Sequence, residues 1–187
     1  MGFTKSELER FRGATVPDLI GEDCRLLFVG INPGLWTAAT QTHFCHPSNR
    51  FYPTLRRIHL IDWTVDTDTG MSDAQRDRLV ATGIGISNLV ARATVRASEL
   101  TREELAAGAE RLVGLVETIG PRLVAVAGVT AFRDAFGEPG ARLGRQDVDI
   151  GPAQLWVVPN PSGLNAHETV DSLADWYGTV AREAGIL

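Results

Sequence analysis

A chain of 187 residues with 44% hydrophobic and 22% charged side chains has the balance of one globular domain, 1–187, that buries a core without crosslinks. It has no apolar run near the roughly 20 residues of a membrane span, and Met1-Gly2-Phe3-Thr4-Lys5 lacks the apolar stretch of a signal peptide, so a cytoplasmic protein with no membrane partner is expected. Cys24 and Cys45 are too few for a four-cysteine zinc or iron–sulfur site and read as reduced thiols, while a net charge of −5 weighs against a broad polyanion-binding surface.

The first element expected is a short helix near Thr4, with Thr4 as N-cap and Glu7 completing a capping box. Arg25 to Val29 reads as a strand, and Gly30 to Pro47 as a long loop whose aromatic and proline content suits a pocket wall. Asn49 to Leu60 carries Phe51, Leu55 and Ile58 at helical spacing, and Ser72 to Ala81 is also helical. A short strand at Ile84 to Ile86 leads into Ser87-Asn88-Leu89-Val90. A longer helix follows from Glu103 to Ile119, capped by Thr101 with Glu104 in the box position and stopped by Gly120-Pro121. Then come a strand at Leu123 to Ala127, a helix through Phe132, a loop at Gly137 to Gly144 and a weak strand near Val148 to Ile150. The last strand is Gln154 to Val158, and Thr169 to Ala184 closes the chain as a helix. Strands alternating with helices predict an α/β fold, a three-layer α/β/α sandwich with a central, mainly parallel sheet.

Two of these strands, Leu26 to Val29 and Leu155 to Val158, are continuous apolar runs that break into Asn-Pro turns, Gly30-Ile31-Asn32-Pro33-Gly34 and Pro159-Asn160-Pro161-Ser162-Gly163-Leu164. Ligands of open parallel sheets bind at the carboxyl ends of the strands, so both turns are expected to face one cleft. The first turn has neither the Lys and Ser/Thr of a phosphate loop nor the third Gly of a dinucleotide fingerprint, which disfavours a nucleotide hydrolase. Alone, it is simply a turn. Basic residues cluster at Arg50, Arg56 and Arg57, at Arg92 and Arg96, and at Arg142 and Arg145, enough for a small local phosphate footprint despite the acidic total.

Gly30-Ile31-Asn32-Pro33-Gly34, Phe44 and His46-Pro47-Ser48-Asn49-Arg50-Phe51, followed by Gly85-Ile86-Ser87-Asn88-Leu89-Val90 and Trp156 to Leu164, resemble the mismatch-specific uracil-DNA glycosylases, the branch that includes thymine-DNA glycosylase. The resemblance spans roughly Leu26 to Tyr177. It implies that Asn32 holds the water that attacks the anomeric carbon of a flipped nucleotide. An amide cannot serve as a general base at neutral pH, so Asn32 would orient that water and accept its hydrogen bond, giving a slow catalyst that depends on the leaving group. Ile31 and Gly34 are the positions for close backbone approach to the base. Phe44 becomes the platform for the extruded base, although a phenylalanine read without the resemblance is a core residue. Asn160, Ser162, Gly163, Leu164 and Asn165 form the insertion loop, with Leu164 as an apolar wedge or, on a local reading, a hydrophobic staple for the last helix. Arg50 is a candidate phosphate contact. His43 and His46 receive no catalytic role.

Two positions depart from relatives. Some family members carry Arg two residues past the wedge leucine, where this chain has Ala166, and a bacterial member has Lys where this chain has Asn88. Asn88 either caps its turn or hydrogen-bonds a base edge, which would broaden uracil removal. The resemblance implies a monofunctional hydrolase without metal or cofactor, acting as a monomer on double-stranded DNA with G·U or related mismatches and handing its product to downstream repair enzymes. The alternatives are a general uracil-DNA glycosylase active on single strands and a non-catalytic module binding damaged DNA or nucleotides.

Overall fold

Strand β1 (Leu26–Gly30) lies inside a five-stranded sheet of order β2-β1-β3-β5-β4, flanked by β2 (Ile84–Asn88) and β3 (Leu123–Ala127). The computed structural model describes residues 2–187. β5 (Gln154–Val158) pairs parallel with β3, and the two-residue β4 (Gly144–Arg145) pairs antiparallel on the outer edge. A strand's side chains alternate between faces, and β1 shows the consequence: Leu26 and Phe28 enter one core, Leu27 and Val29 the other, all fully buried.

The first core is closed by α3 (Phe51–Arg57), α4 (Asp73–Ala81) and α7 (Val170–Glu183), which contribute Phe51, Leu55, Leu79, Leu173, Tyr177 and Val180. The second is closed by α5 (Arg102–Ile119) and α6 (Val129–Phe136), through Leu105, Leu112, Val116, Phe132 and Ala135. Helices on both faces of a mainly parallel sheet make the expected three-layer α/β/α sandwich.

The capping boxes at Thr4, Thr101 and Thr169 each close with the side chain three residues on, for α1 (Lys5–Glu9), α5 and α7. Two expectations change. The Gly30 to Pro47 stretch is not all loop, because Leu35–Thr40 forms a further helix, α2, entered from Gly34 without a side-chain cap. The weak strand expected at Val148 to Ile150 lies instead at Gly144–Arg145. Val148 is exposed, and Ile150 makes only an isolated bridge to Ala153.

Outside the sheet, Leu19 exchanges backbone hydrogen bonds with Ile86, 2.9 and 2.8 Å, so the N-terminal segment covers the free edge of β2. No helix among the described residues is long and apolar enough to cross a membrane.

Candidate functional site

The chain runs from β1 to β2 on one side and then crosses to β3 on the other, so the strand order reverses beside β1. At such a switch point the connections leaving two adjacent strands diverge and open a crevice at their carboxyl ends. A cleft of about 620 Å³ lies there, bounded by the segments that leave β1, β2 and β5, by α2, and by the loop around Thr94 to Ala97. Ile31, Asn32, Gly34, Phe44, Asn88, Asn160, Ser162, Gly163, Leu164 and Asn165 all line it. Arg50 stands behind the wall.

Beyond its last residue, the β2 chain continues alongside the turn that follows β1. Leu89 N–H donates to the Gly30 carbonyl (2.9 Å), Val90 N–H to Ile31 (2.9 Å) and Thr94 N–H to Pro33 (3.1 Å). This second rail brings Thr94 to Asn32. The Asn32 amide nitrogen faces three acceptors, the carbonyls of Pro33 (3.1 Å) and Arg92 (3.0 Å) and Thr94 Oγ1 (2.8 Å). The Thr94 hydroxyl passes its own proton to the Arg96 carbonyl at 2.9 Å, so it can only accept from Asn32. Three acceptors around one nitrogen fix which way the amide points. Its Oδ1, to which no described residue donates, is left to accept from a group in the cleft.

Phe44 occupies the left-handed region at φ 56°, a conformation that costs a non-glycine residue about 1–2 kcal/mol and persists only where surroundings enforce it. The enforcement is visible. Tyr52, buried in the first core, donates from its hydroxyl to the His43 carbonyl (2.8 Å), and one face of the Phe44 ring stacks on Phe51 with centroids 4.3 Å apart. Phe44 is therefore seated on the core yet only half-buried, and it lines the cleft.

Gly30 lies between this ring and Asn88. A Cβ there would stand 2.5 Å from Asn88 Oδ1 and 3.2 Å from two Phe44 ring carbons, so neither neighbour could keep its place beside a larger residue. Asn88 is held at both ends: its carbonyl accepts a short hydrogen bond from the Arg111 guanidinium on α5, and its amide nitrogen meets His43 Nδ1 at 3.0 Å. Gly30 and His43 had no assigned role in the sequence. Thr94 carried no signal there, being 62 residues from its partner.

On the opposite wall, Asn160 Oδ1 accepts from Ser162 N–H (3.0 Å), and Asn165 returns its side-chain N–H to the Asn160 carbonyl (3.1 Å). Arg50 fastens this loop from behind. Its guanidinium donates to the carbonyls of Ser162 (2.9 Å) and Asn165 (3.2 Å), and its backbone N–H to Pro161 (2.9 Å). Gly163 presses on Ser48 so closely that a Cβ would fall 2.2 Å from the serine hydroxyl. Leu164 is 90% exposed, which removes the local reading of it as a helix staple. Gly34 differs from Gly163: a Cβ at 34 would meet no atom of the described residues within 4 Å, so their packing does not require glycine there.

Arg92 is engaged by Glu104 at 2.5 and 2.9 Å, which holds that carboxyl down at about 2. Its guanidinium thus braces α5 against the cleft loop. Both cysteines are buried thiols, Cys24 pushed up to about 11 by burial.

Two comparisons bear on this arrangement. The solution NMR structure of a candidate uracil DNA glycosylase from Methanosarcina acetivorans superposes with a TM-score of 0.59 over 92% of this chain and 98% of that one, at 19% identity, a likeness of fold. Residues 17–180 match the uracil DNA glycosylase superfamily, a span that holds every strand of the sheet and the turns that follow β1, β2 and β5. By that match the chain belongs to the uracil DNA glycosylase superfamily.

Proposed function

We propose that the chain is a monofunctional DNA glycosylase that removes uracil, preferentially from G·U mismatches, to begin base-excision repair. The observation that carries this reading is the pinned Asn32 amide, whose nitrogen is consumed by protein acceptors while its oxygen remains free in a cleft walled by an aromatic ring.

A flipped uracil would stack on the open face of Phe44, an interaction worth about 1–3 kcal/mol per base. A water accepted by Asn32 Oδ1 would then lie against the anomeric carbon. As the bond to the base lengthens, the sugar gains positive charge and the base leaves as an anion. The water adds to the anomeric carbon, gives up its proton to solvent, and the base takes a proton after departure. The one carboxylate among the described residues lining the cleft is Glu9 of α1, which is paired with Arg12 at 2.7 Å, so no unpaired carboxylate there is placed to pull that proton early. Rate should therefore follow the acidity of the leaving base, with backbone N–H groups of the Ile31 to Gly34 turn placed to share the anionic charge.

Leu164 is suited to fill the gap in the duplex, and Asn165 and Gly163 would meet the orphaned guanine. A G·U pair opens at lower cost than a regular pair, which supplies part of the preference. Asn88 supports the broader reading as well: a side chain that reads the uracil edge directly would also permit excision from single strands.

The deciding experiment is alkali-revealed strand cleavage of G·U, A·U, G·T and single-stranded uracil oligonucleotides, with Asn32→Ala in parallel. Wild type is expected to cut G·U fastest, and Asn32→Ala to lose at least about 100-fold, the scale of a lost positioning contact. Equal rates on G·U and single strands would replace mismatch preference with general uracil removal. Intact oligonucleotides that are nonetheless bound would leave a non-catalytic DNA-binding module.

A further inference from the structure

His43 sits in the loop before Phe44, only 2% exposed, and its two ring nitrogens have unlike partners. Nε2 lies 2.9 Å from the Pro17 carbonyl, which can only accept, so Nε2 carries the proton. Nδ1 is then a lone pair, and it faces the Asn88 side-chain nitrogen at 3.0 Å. Asn88 is itself only 6% exposed. Were the asparagine amide turned over, its oxygen would oppose that lone pair with no proton between them. The ring therefore dictates the amide's orientation, putting Oδ1 against Gly30 at the cleft floor beside Phe44.

We propose that His43 is a positioning residue for base selection: by accepting from Asn88 through Nδ1, it commits Asn88 Oδ1 to receive a proton from the bound base, and so selects bases with an N3–H over bases with an unprotonated N3. This rests on the uracil-excision reading. Uracil offers N3–H as donor and O4 as acceptor, matching Oδ1 and the second amide proton of Asn88. Cytosine offers an acceptor at N3 and a donor at N4, and would meet two mismatches at once. A site built to hydrogen-bond one pattern rejects the reversed one strongly, because its own buried groups are left unpaired. The tether needs a neutral ring. Burial holds the imidazole below its ordinary pKa against the opposing pull of the Pro17 carbonyl and Asp18, with Arg76 acting in the same direction as burial, so the ring is neutral at pH 7.

The test compares excision of 5-fluorouracil and 5-fluorocytosine opposite an abasic-site analogue, where neither base is paired and only their reversed edges differ in the pocket, by wild type, His43→Ala and His43→Gln. Wild type should strongly favour 5-fluorouracil. His43→Ala, freeing the amide to turn over, should narrow the ratio by about tenfold or more, and His43→Gln, which can offer a carbonyl acceptor to Asn88, should restore part of it. Equal loss on both bases would mean a merely structural histidine and would overturn the proposal while leaving uracil excision standing. Wild type inactive on uracil and 5-fluorouracil would overturn both. Independently of any variant's folding, the ¹⁵N shifts of His43 in the wild-type protein should show a protonated Nε2 and a bare Nδ1; the opposite tautomer overturns the proposal.

Discussion

At the scale of single residues, the cleft consists of amides whose orientation is settled by partners outside it. Asn32 is set by Thr94, and Asn88 by His43. Neither supporting residue needs to touch a substrate. Thr94→Val keeps the shape of the side chain but removes the acceptor for Asn32, so the amide loses one of its three restraints. Uracil excision is expected to fall about 10- to 100-fold with KM little changed, and the measurement is single-turnover kinetics on a G·U duplex. An unchanged rate would show that the two carbonyls suffice. The residues that were legible in the sequence, Asn32, Phe44 and Leu164, lie in contiguous motifs where a polar or apolar side chain interrupts its neighbours. The supporting shell was not legible, because a threonine's hydroxyl becomes an acceptor for Asn32 only once the chain after β2 is laid along the turn after β1.

Among elements, the loop from Asn160 to Asn165 shows how a flexible-looking sequence is made into a fixed tool. Arg50 binds two of its carbonyls, Asn160 and Asn165 bind across it, and Gly163 locks against Ser48. What projects is Leu164. Because that side chain has little to lose on truncation, Leu164→Ala should change folding stability by no more than about 0.5 kcal/mol while slowing excision from duplex far more than from single strands. Gly163→Ala should harm both substrates, since a Cβ would displace the loop from Ser48. Thermal denaturation and paired rate measurements distinguish the two; equal effects of Leu164→Ala on both substrates would argue against a wedge. The same scale shows where sequence patterning failed. Leu35–Thr40 is a helix hidden by threonines and a glycine N-cap, six residues long and stabilised by packing rather than propensity. Val148 and Ile150 are strong strand formers, yet the edge strand formed at Gly144–Arg145, where Gln146 N–H reaches the Leu155 carbonyl at 2.8 Å. A two-residue edge has almost no side-chain pattern to read.

For the molecule as a whole, the ionisable groups predict an acid-labile fold with two stages. The folded pKa of His43 lies below the ordinary 6.5, so the unfolded chain binds the extra proton first and stability falls as pH drops below about 6.5. The carboxyl of Glu104 is held at about 2 by Arg92, against an ordinary 4.5, so its contribution is intact above about 4.5 and is lost as pH falls toward 2. The lowered carboxyls of Asp66 and Glu99 lose theirs in the same acid direction. His46, its pKa also lowered by burial, adds to the first stage, so urea midpoints measured from pH 8 to pH 3 should decline in an upper stage that His43→Gln diminishes and a lower stage that Arg92→Ala diminishes. A midpoint flat between pH 7 and pH 5 would contradict the buried neutral histidine.

The layers of this protein were fixed locally. An apolar run of five residues with polar turns on either side is too short for a buried helix and suits a strand buried on both faces, and a capping box before an amphipathic stretch favours a helix start wherever the rest of the chain lies. Those signals act over a few residues, and they placed β1, β3, β5, α5 and α7, together with the two Asn-Pro turns at one edge. Which atoms of the turns would face a ligand depended on pairings between segments far apart in the chain: Pro17 with His43, His43 with Asn88, Thr94 with Asn32, and Arg50 with Ser162. An amide side chain presents a donor on one side and an acceptor on the other, and nothing in its own sequence neighbourhood chooses between them. The folded sheet chose, by bringing a lone pair or a carbonyl to one side of each amide and leaving the other side to the cleft.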